Sequence, residues 1–211
     1  MARKTGSDGE KTQAAIREAA LSLMAQYGYE AMTMRQLGEQ VGVQAAALYR
    51  YFSTKEDLLH DLLMDHMVGL IASWEQARPV NDDPAAQLAA FVRNHISFHV
   101  ARRHSTHVSN LELRSLSPER LTAVLRLRNG YEKELRHILR EGAERGLFEV
   151  ADAQLTAMAI IQMITGVIVW FRPGERLSVD EVTQTYLDMT LRLVGLKPLS
   201  AAKAQPARSA G

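Results

Sequence analysis

Four histidines between residues 95 and 107 offer the most obvious chemistry in this chain: His95 and His99 stand four residues apart, followed by His104 and His107. Imidazoles at i and i+4 of a helix share one face, where they could hold a divalent ion, exchange protons or hydrogen-bond a ligand. At about 100° per residue, His95 and His99 fall in the middle of an apolar arc of Leu88, Phe91, Val92, Ile96 and Phe98, so they point inward. Arg128 and Glu132 repeat the spacing at the centre of a second arc, of Leu121, Val124, Leu125, Tyr131, Leu135, Ile138 and Leu139. A guanidinium and a carboxylate on a core face cost desolvation unless they pair or grip something. With Trp74 and Tyr131, these residues form a candidate effector-binding set: Trp74, His95, His99, Arg128, Tyr131 and Glu132.

Blander readings compete. The histidines also suit hydrogen-bonded core positions, Arg128 and Glu132 suit a structural ion pair, and Trp74 suits a core. A metal site on His95, His99, His104 and His107 is conceivable, yet no carboxylate or thiolate cluster completes it, so neither metal nor cofactor is expected. The chain has no cysteine, which removes disulfides, thiolate ligands and thiol redox sensing. It has no phosphate-binding glycine loop, nucleophile elbow or metal motif with a general base, so catalysis is not expected. The rival readings are a metal-responsive regulator and a small helical enzyme, both using His95 and His99.

The elements that must position this chemistry begin with residues 28–59. Met34 and Leu37 share a helical face, Gly42 supplies the positive φ of a tight turn, Val43 anchors that turn, and Leu48 lies on a second helix. This is a helix-turn-helix. Its second helix presents Gln44, Ala45, Ala46, Tyr49 and Arg50, a small polar face suited to a major groove. Before it, Ile16, Ala19, Ala20, Leu23, Met24 and Tyr27 predict a bracing helix from about Thr12 to Tyr27. After it, Thr54 caps a helix whose stripe of Leu59, Leu62, Leu63, Met67, Leu70 and Trp74 reaches about Gln76.

At Gly28, Thr33, Leu37-Gly38, Gly42-Val43, Leu48-Tyr49, Tyr51-Phe52 and Thr54-Lys55-Glu56 the chain resembles the tetracycline-repressor (TetR) family of bacterial regulators. The likeness is strong over residues 12–60. It departs from the family's habit at Gln44, where serine or threonine is common, and at Gly38, where alanine is. The resemblance implies double-stranded operator DNA as a partner, contacted by Thr33, Arg35, Gln44, Ala45, Ala46, Tyr49, Arg50, Tyr51 and Lys55. Tyr49, Tyr51 and Lys55 are expected on phosphates, and Gln44, Arg35 and Arg50 on base edges. A modest likeness of Leu111–Arg114 and of the run from Leu127 to Gly142 points to members that answer to acyl-CoA thioesters.

The rest reads as an all-α bundle. Asp83-Pro84 opens a helix to about Arg103, Ser117-Pro118 one to about Gly146, Asp152 one to about Arg172, and Ser178 with Glu181 a last one to about Gly195. Residues 153–171 carry no charge and are long enough to raise a membrane span. Gln154, Thr156, Gln162 and Thr165 interrupt the segment, and no membrane is expected. The resemblance implies instead that the last two helices pair with a second copy, giving a homodimer with Ala159, Gly166, Trp170, Tyr186 and Met189 at the interface.

Expected organisation is therefore a flexible arm over 1–11, a DNA-binding unit over 12–57, an effector and dimerisation unit over 58–197, and a disordered tail over 198–211. A net charge of +1 does not itself suggest nucleic acid; placement of Arg35, Arg50 and Lys55 does more. Met1-Ala2-Arg3-Lys4 is followed by polar residues and not an apolar run, so the cytoplasm is expected. The function implied is a transcriptional repressor released from its operator by a small-molecule effector.

Overall fold

The structure is a computed structural model that describes residues 5–196, with side chains from residue 9. Its described elements are helices: α1 (Thr5–Tyr27), α2 (Met34–Val41), α3 (Ala45–Leu48), α4 (Lys55–Ala77), α5 (Pro84–Ala101), α6 (Arg103–Leu111), a 3-10 turn (Glu112–Ser115), α7 (Pro118–Glu144), α8 (Ala153–Thr165), α9 (Val167–Trp170) and α10 (Val179–Leu193). The all-α class and the helix-turn-helix are as the sequence reads. Start signals act where they were placed: Thr54 accepts from the Asp57 N–H at 2.9 Å, and Ser178 and Glu181 form a capping box; a second box, of Thr33 and Gln36 on α2, comes in addition to those expected.

Three boundaries differ. α1 begins at Thr5, so residues 5–11 of the expected arm are helical; residues 1–4 and the expected tail lie outside the described residues. The predicted helix from Pro84 stops at Ala101, and an unforeseen helix, α6, follows. The break rests on Arg102 at φ −118°, ψ 45°, a backbone departure that no glycine or proline announces. The apolar segment from Asp152 is likewise divided, with α8 ending before Gly166.

The described residues form two compact units, 5–69 with 102–128 and 70–101 with 129–196. Residues 58–69 and 102–128, which the sequence assigns to the effector domain, thus belong with the reading head. In the first unit α1 packs on α2 and α6, and α2 on α3, around Ile16, Ala20, Met24, Leu37, Leu48, Leu58 and Leu59. Each such buried leucine, isoleucine or methionine side chain contributes about 1.5–3 kcal/mol. In the second unit α5 is central, packing against α8, α9 and α10 around Leu88, Phe91, Val92, Leu135, Ile160, Ile164 and Leu187.

Candidate nucleic-acid interface and ligand chamber

In the reading head, α2 ends on Gly42 at φ 78°, and the Val43 N–H donates to the Gly38 carbonyl at 2.9 Å. That chain reversal crosses Gly38 so closely that a Cβ there would lie 2.7 Å from the Val43 carbonyl oxygen. The departure from alanine at this position therefore has a steric cause: the turn rests on the glycine. Leu48 is fully buried and fixes the inner face of α3, leaving Gln44, Ala46, Tyr49 and Arg50 exposed, with Ala45 and Tyr51 half-buried. Gln44 stands at the N-cap of α3 without making a side-chain cap, so its amide is available. Arg35 pairs with Glu39 at 3.2 Å, but both are largely exposed and such an i, i+4 pair contributes only about 0.2–0.5 kcal/mol. So weak a pair barely restrains the guanidinium.

Two expected DNA residues have other work in the free chain. Thr33 uses its hydroxyl to cap α2, accepting from the Gln36 N–H at 3.2 Å. Lys55 donates to the carbonyls of Tyr29, Met32 and Glu30 at 2.8, 3.1 and 3.3 Å, with its ammonium 4.2 Å from the Tyr29 ring centre. In the chain without DNA, Lys55 therefore acts as a clamp on the loop before α2, with its three donors engaged there. Buried Glu112 holds the same loop from its other side, accepting from the Tyr29 N–H at 3.0 Å and from the Ser115 hydroxyl at 3.2 Å. Further ties join the first turn of α4 to the start of α7. Glu56 accepts from the Ser117 N–H at 2.8 Å, and Asp57 pairs with Arg120. These bonds hold both carboxyls below their ordinary range, Glu56 through the Ser117 backbone N–H and Asp57 through the Arg120 guanidinium. Neither Glu112 nor Arg120 is legible as functional from the sequence, where each is one charge on a mixed segment.

In the second unit the inward reading of the histidines holds. His95 is buried, with Nδ1 3.1 Å from the Tyr131 hydroxyl and Nε2 2.8 Å from the Thr165 hydroxyl. His99 stacks on it at 4.0 Å between ring centres, and His99 Nδ1 lies 2.7 Å from the His95 carbonyl. A carbonyl only accepts, so His99 carries a proton on Nδ1. Phe91 stacks on Tyr131 at 4.8 Å and meets the Trp74 ring edge-on at 5.1 Å. Burial pushes the Tyr131 phenol above its ordinary range, so it stays protonated. Beside this cluster is a cavity of about 240 Å³ lined by Ile71, Trp74, Glu75, Arg78, Gly130, Tyr131 and Glu134. The Trp74 ring is 2% exposed, and its indole N–H has no partner.

Trp74, His95, His99 and Tyr131 are thus brought together, and two members of the expected set are not. Arg128 belongs to the first unit, where it donates to the Ser109 carbonyl at 2.5 Å and hydroxyl at 3.0 Å, and half-buried Glu132 belongs to the second. It places positive charge on the last turn of α6, a favourable helix terminus. Burial lowers its pKa. In the chain without effector, Arg128 therefore acts as a helix-end clamp. Among the described residues no group of three or more His, Asp or Glu side chains is arranged as metal ligands.

The expected interface residues lie on α8, α9 and α10 of the second unit. Ala159 is exposed, Trp170 is 48% and Met189 46% exposed, and Gly166 and Tyr186 are half-buried. The Trp170 indole N–H donates to the Tyr186 hydroxyl at 3.2 Å. The stretch Ala153–Trp170 is long and apolar enough to cross a membrane by composition, and only 28% of it is buried within the chain.

Comparison with known proteins agrees with this geometry. The pattern described as "Tetracyclin repressor-like, C-terminal domain" matches residues 81–194, and that described as "Bacterial regulatory proteins, tetR family" matches residues 16–62. The chain is 24% identical over 189 residues to the transcriptional repressor KstR2 of Rhodococcus jostii strain RHA1, covering 89% of this chain and 92% of that one. Its fold matches the transcriptional regulator PfmR of Thermus thermophilus with a TM-score of 0.77 at 34% identity, covering 84% and 97% of the two chains. It also matches AibR, solved with isovaleryl coenzyme A and operator DNA, with a TM-score of 0.76 at 23% identity over 84% and 97%. On the match across its C-terminal unit, together with that across its reading head, the chain belongs to the TetR family of bacterial regulatory proteins.

Proposed function

We propose that this chain is a homodimeric transcriptional repressor of the bacterial cytoplasm that leaves its operator when a small molecule enters the second unit. The observation that carries the reading is the head itself: α3 has its inner face locked by Leu48 while Gln44, Ala46, Tyr49 and Arg50 stand exposed. A small, polar, projecting face of this kind fits a major groove. An apolar stretch left largely uncovered supports the homodimer, because a self-complementary partner can cover it, and no membrane is needed. No catalysis enters this reading. The Leu111–Arg114 and Leu127–Gly142 stretches, and the isovaleryl coenzyme A bound to AibR, suggest an acyl-CoA thioester as the effector.

The test is recovery and sequencing of genomic fragments retained by the purified protein, followed by titration of the retained site with acyl-CoA thioesters of increasing chain length. A palindromic site released by one length range supports the whole reading. Retention of no sequence above background refutes the operator assignment, and a retained site indifferent to every thioester refutes the effector class.

A further inference from the structure

The loop over residues 28–32 decides how α2 leaves α1. Gly28, at φ 83°, ends α1, and the Met32 N–H closes the loop on the Gly28 carbonyl at 3.2 Å. Thr33 caps α2 in the next position, so nothing slack lies between the loop and the helix-turn-helix. α2 in turn fixes α3, because the turn between them crosses Gly38 too closely to admit a Cβ. A displacement of the loop therefore reaches the face of α3 that meets DNA.

Tyr29 anchors this loop. It is buried, and its N–H donates to Glu112 Oε1 at 3.0 Å. The other carboxyl oxygen accepts from the Ser115 hydroxyl at 3.2 Å, which orients the group. Glu112 Oε1 also lies 3.5 Å from where a Cβ on Gly28 would stand, so the side chain fills the space beside the glycine. Lys55 restrains the same loop through its carbonyls and the Tyr29 ring. The Tyr29 N–H is left as its tie to the 3-10 turn. By family pattern Glu112 is no part of the head, since the N-terminal match covers residues 16–62 and Glu112 falls within the C-terminal match, 81–194. By contact it belongs to the first unit, with the head.

We propose that Glu112 is a positioning residue for operator recognition: through the Tyr29 N–H it sets the angle at which α2 and α3 are presented to DNA. The inference rests on the head's binding of operator DNA, and on neither the effector nor the assembly. Alanine at this position leaves a buried N–H without an acceptor, so the loop shifts until it finds another partner. Binding a specific site then requires the original loop to be restored, and affinity falls with the population that has it. Glutamine keeps an acceptor for Tyr29, while its amide can donate to the Ser115 hydroxyl, which accepts as well as donates. Non-specific binding rests on phosphates and tolerates a tilted helix; base readout does not.

The experiment compares the full chain with Glu112→Ala and Glu112→Gln, well below every thermal midpoint, on two duplexes: the site that the parent selects from a randomised pool, and a scrambled sequence. Glu112→Ala should bind the selected site roughly five- to a hundredfold more weakly. Its affinity for the scrambled duplex should stay within about twofold of the parent's. Glu112→Gln should recover most of the specific affinity. In the free protein labelled with nitrogen-15, amide resonances of α2 and α3 should move in Glu112→Ala and return in Glu112→Gln. A purely structural role would lower the thermal midpoint and leave both affinities at parent values, which overturns the proposal. So does an equal loss on both duplexes, or α2 and α3 resonances that do not move. If the alanine variant does not fold, Glu112→Asp, whose carboxyl falls one methylene short, takes its place with the same outcomes. A parent that selects no sequence refutes operator recognition itself, and the resonances still decide whether Glu112 places α2 and α3.

Discussion

Lys55 Nζ lies within 3.3 Å of three carbonyl oxygens, and an ammonium has three protons to give. Its charge also faces the Tyr29 ring, so the side chain binds the loop before α2 to the start of α4. Lys55→Met keeps the stem and removes the donors. It should lower the stability of the head by about 1–2 kcal/mol, seen in thermal unfolding, with the salt dependence of operator binding unchanged. A slope lower by about one ion would instead mean that Lys55 swings to a phosphate in the complex. Gln44 is in the opposite condition, exposed and free of any capping bond. Gln44→Ala should alter preference at one base-pair position by about 1–3 kcal/mol while leaving the salt slope as it was, measured on a panel of single-substitution operators.

At the scale of elements, the loop over residues 28–32 is held by Lys55 on its carbonyls and Glu112 on its Tyr29 N–H. Glu112→Ala strands a buried donor, which costs about 1–3 kcal/mol, and hydrogen exchange at the Tyr29 amide should accelerate before that of the α2 amides. Exchange that stays slow at Tyr29 would show the carboxylate to be dispensable. The α4–α7 ties add a pH dependence of definite sign. Glu56 and Asp57 both have pKa values lowered by folding, so their contribution is present above the ordinary carboxylate range and is lost as pH falls through the depressed values. The acid limb of the unfolding midpoint should become shallower in Asp57→Asn. These long-range bonds also mark the limit of what the sequence makes legible. Caps at Thr54 and Ser178 act over three residues and can be read directly, as can the inward phase of His95 and His99. Arg128 shares that phase on α7, but its partner Ser109 is 19 residues away on α6, a helix without a start signal. Periodicity gives the direction of a side chain and is silent on which element it meets.

For the molecule as a whole the open question is what covers α8 to α10. Leu155, Met158 and Trp170 are exposed on α8 and α9, as are Met189 and Leu193 on α10, large apolar side chains on three successive helices. A membrane could cover it, but a second copy, as proposed above, would do so while also giving a two-fold molecule two reading heads for one duplex. Gly166 is a poor place to test this, since its Cβ would lie 3.3 Å from the Gln162 carbonyl and a large side chain there disturbs the α8–α9 junction itself. Met158 and Met189 are better, each nearly half exposed within its own chain, so that Met158→Glu with Met189→Glu changes the monomer's packing little. In a two-fold interface each carboxylate appears twice, and burying four of them without partners is prohibitive. The double variant should sediment as a monomer with a near-normal thermal midpoint. It should bind a single half-site as before and a full operator about 10²- to 10⁴-fold more weakly than the parent, the loss expected when two linked contacts become one. A variant that still sediments as a dimer with full operator affinity would move the interface away from α8 and α10. One that partitions out of washed vesicles only after substitution, from a parent that stays with them, would assign the same face to lipid.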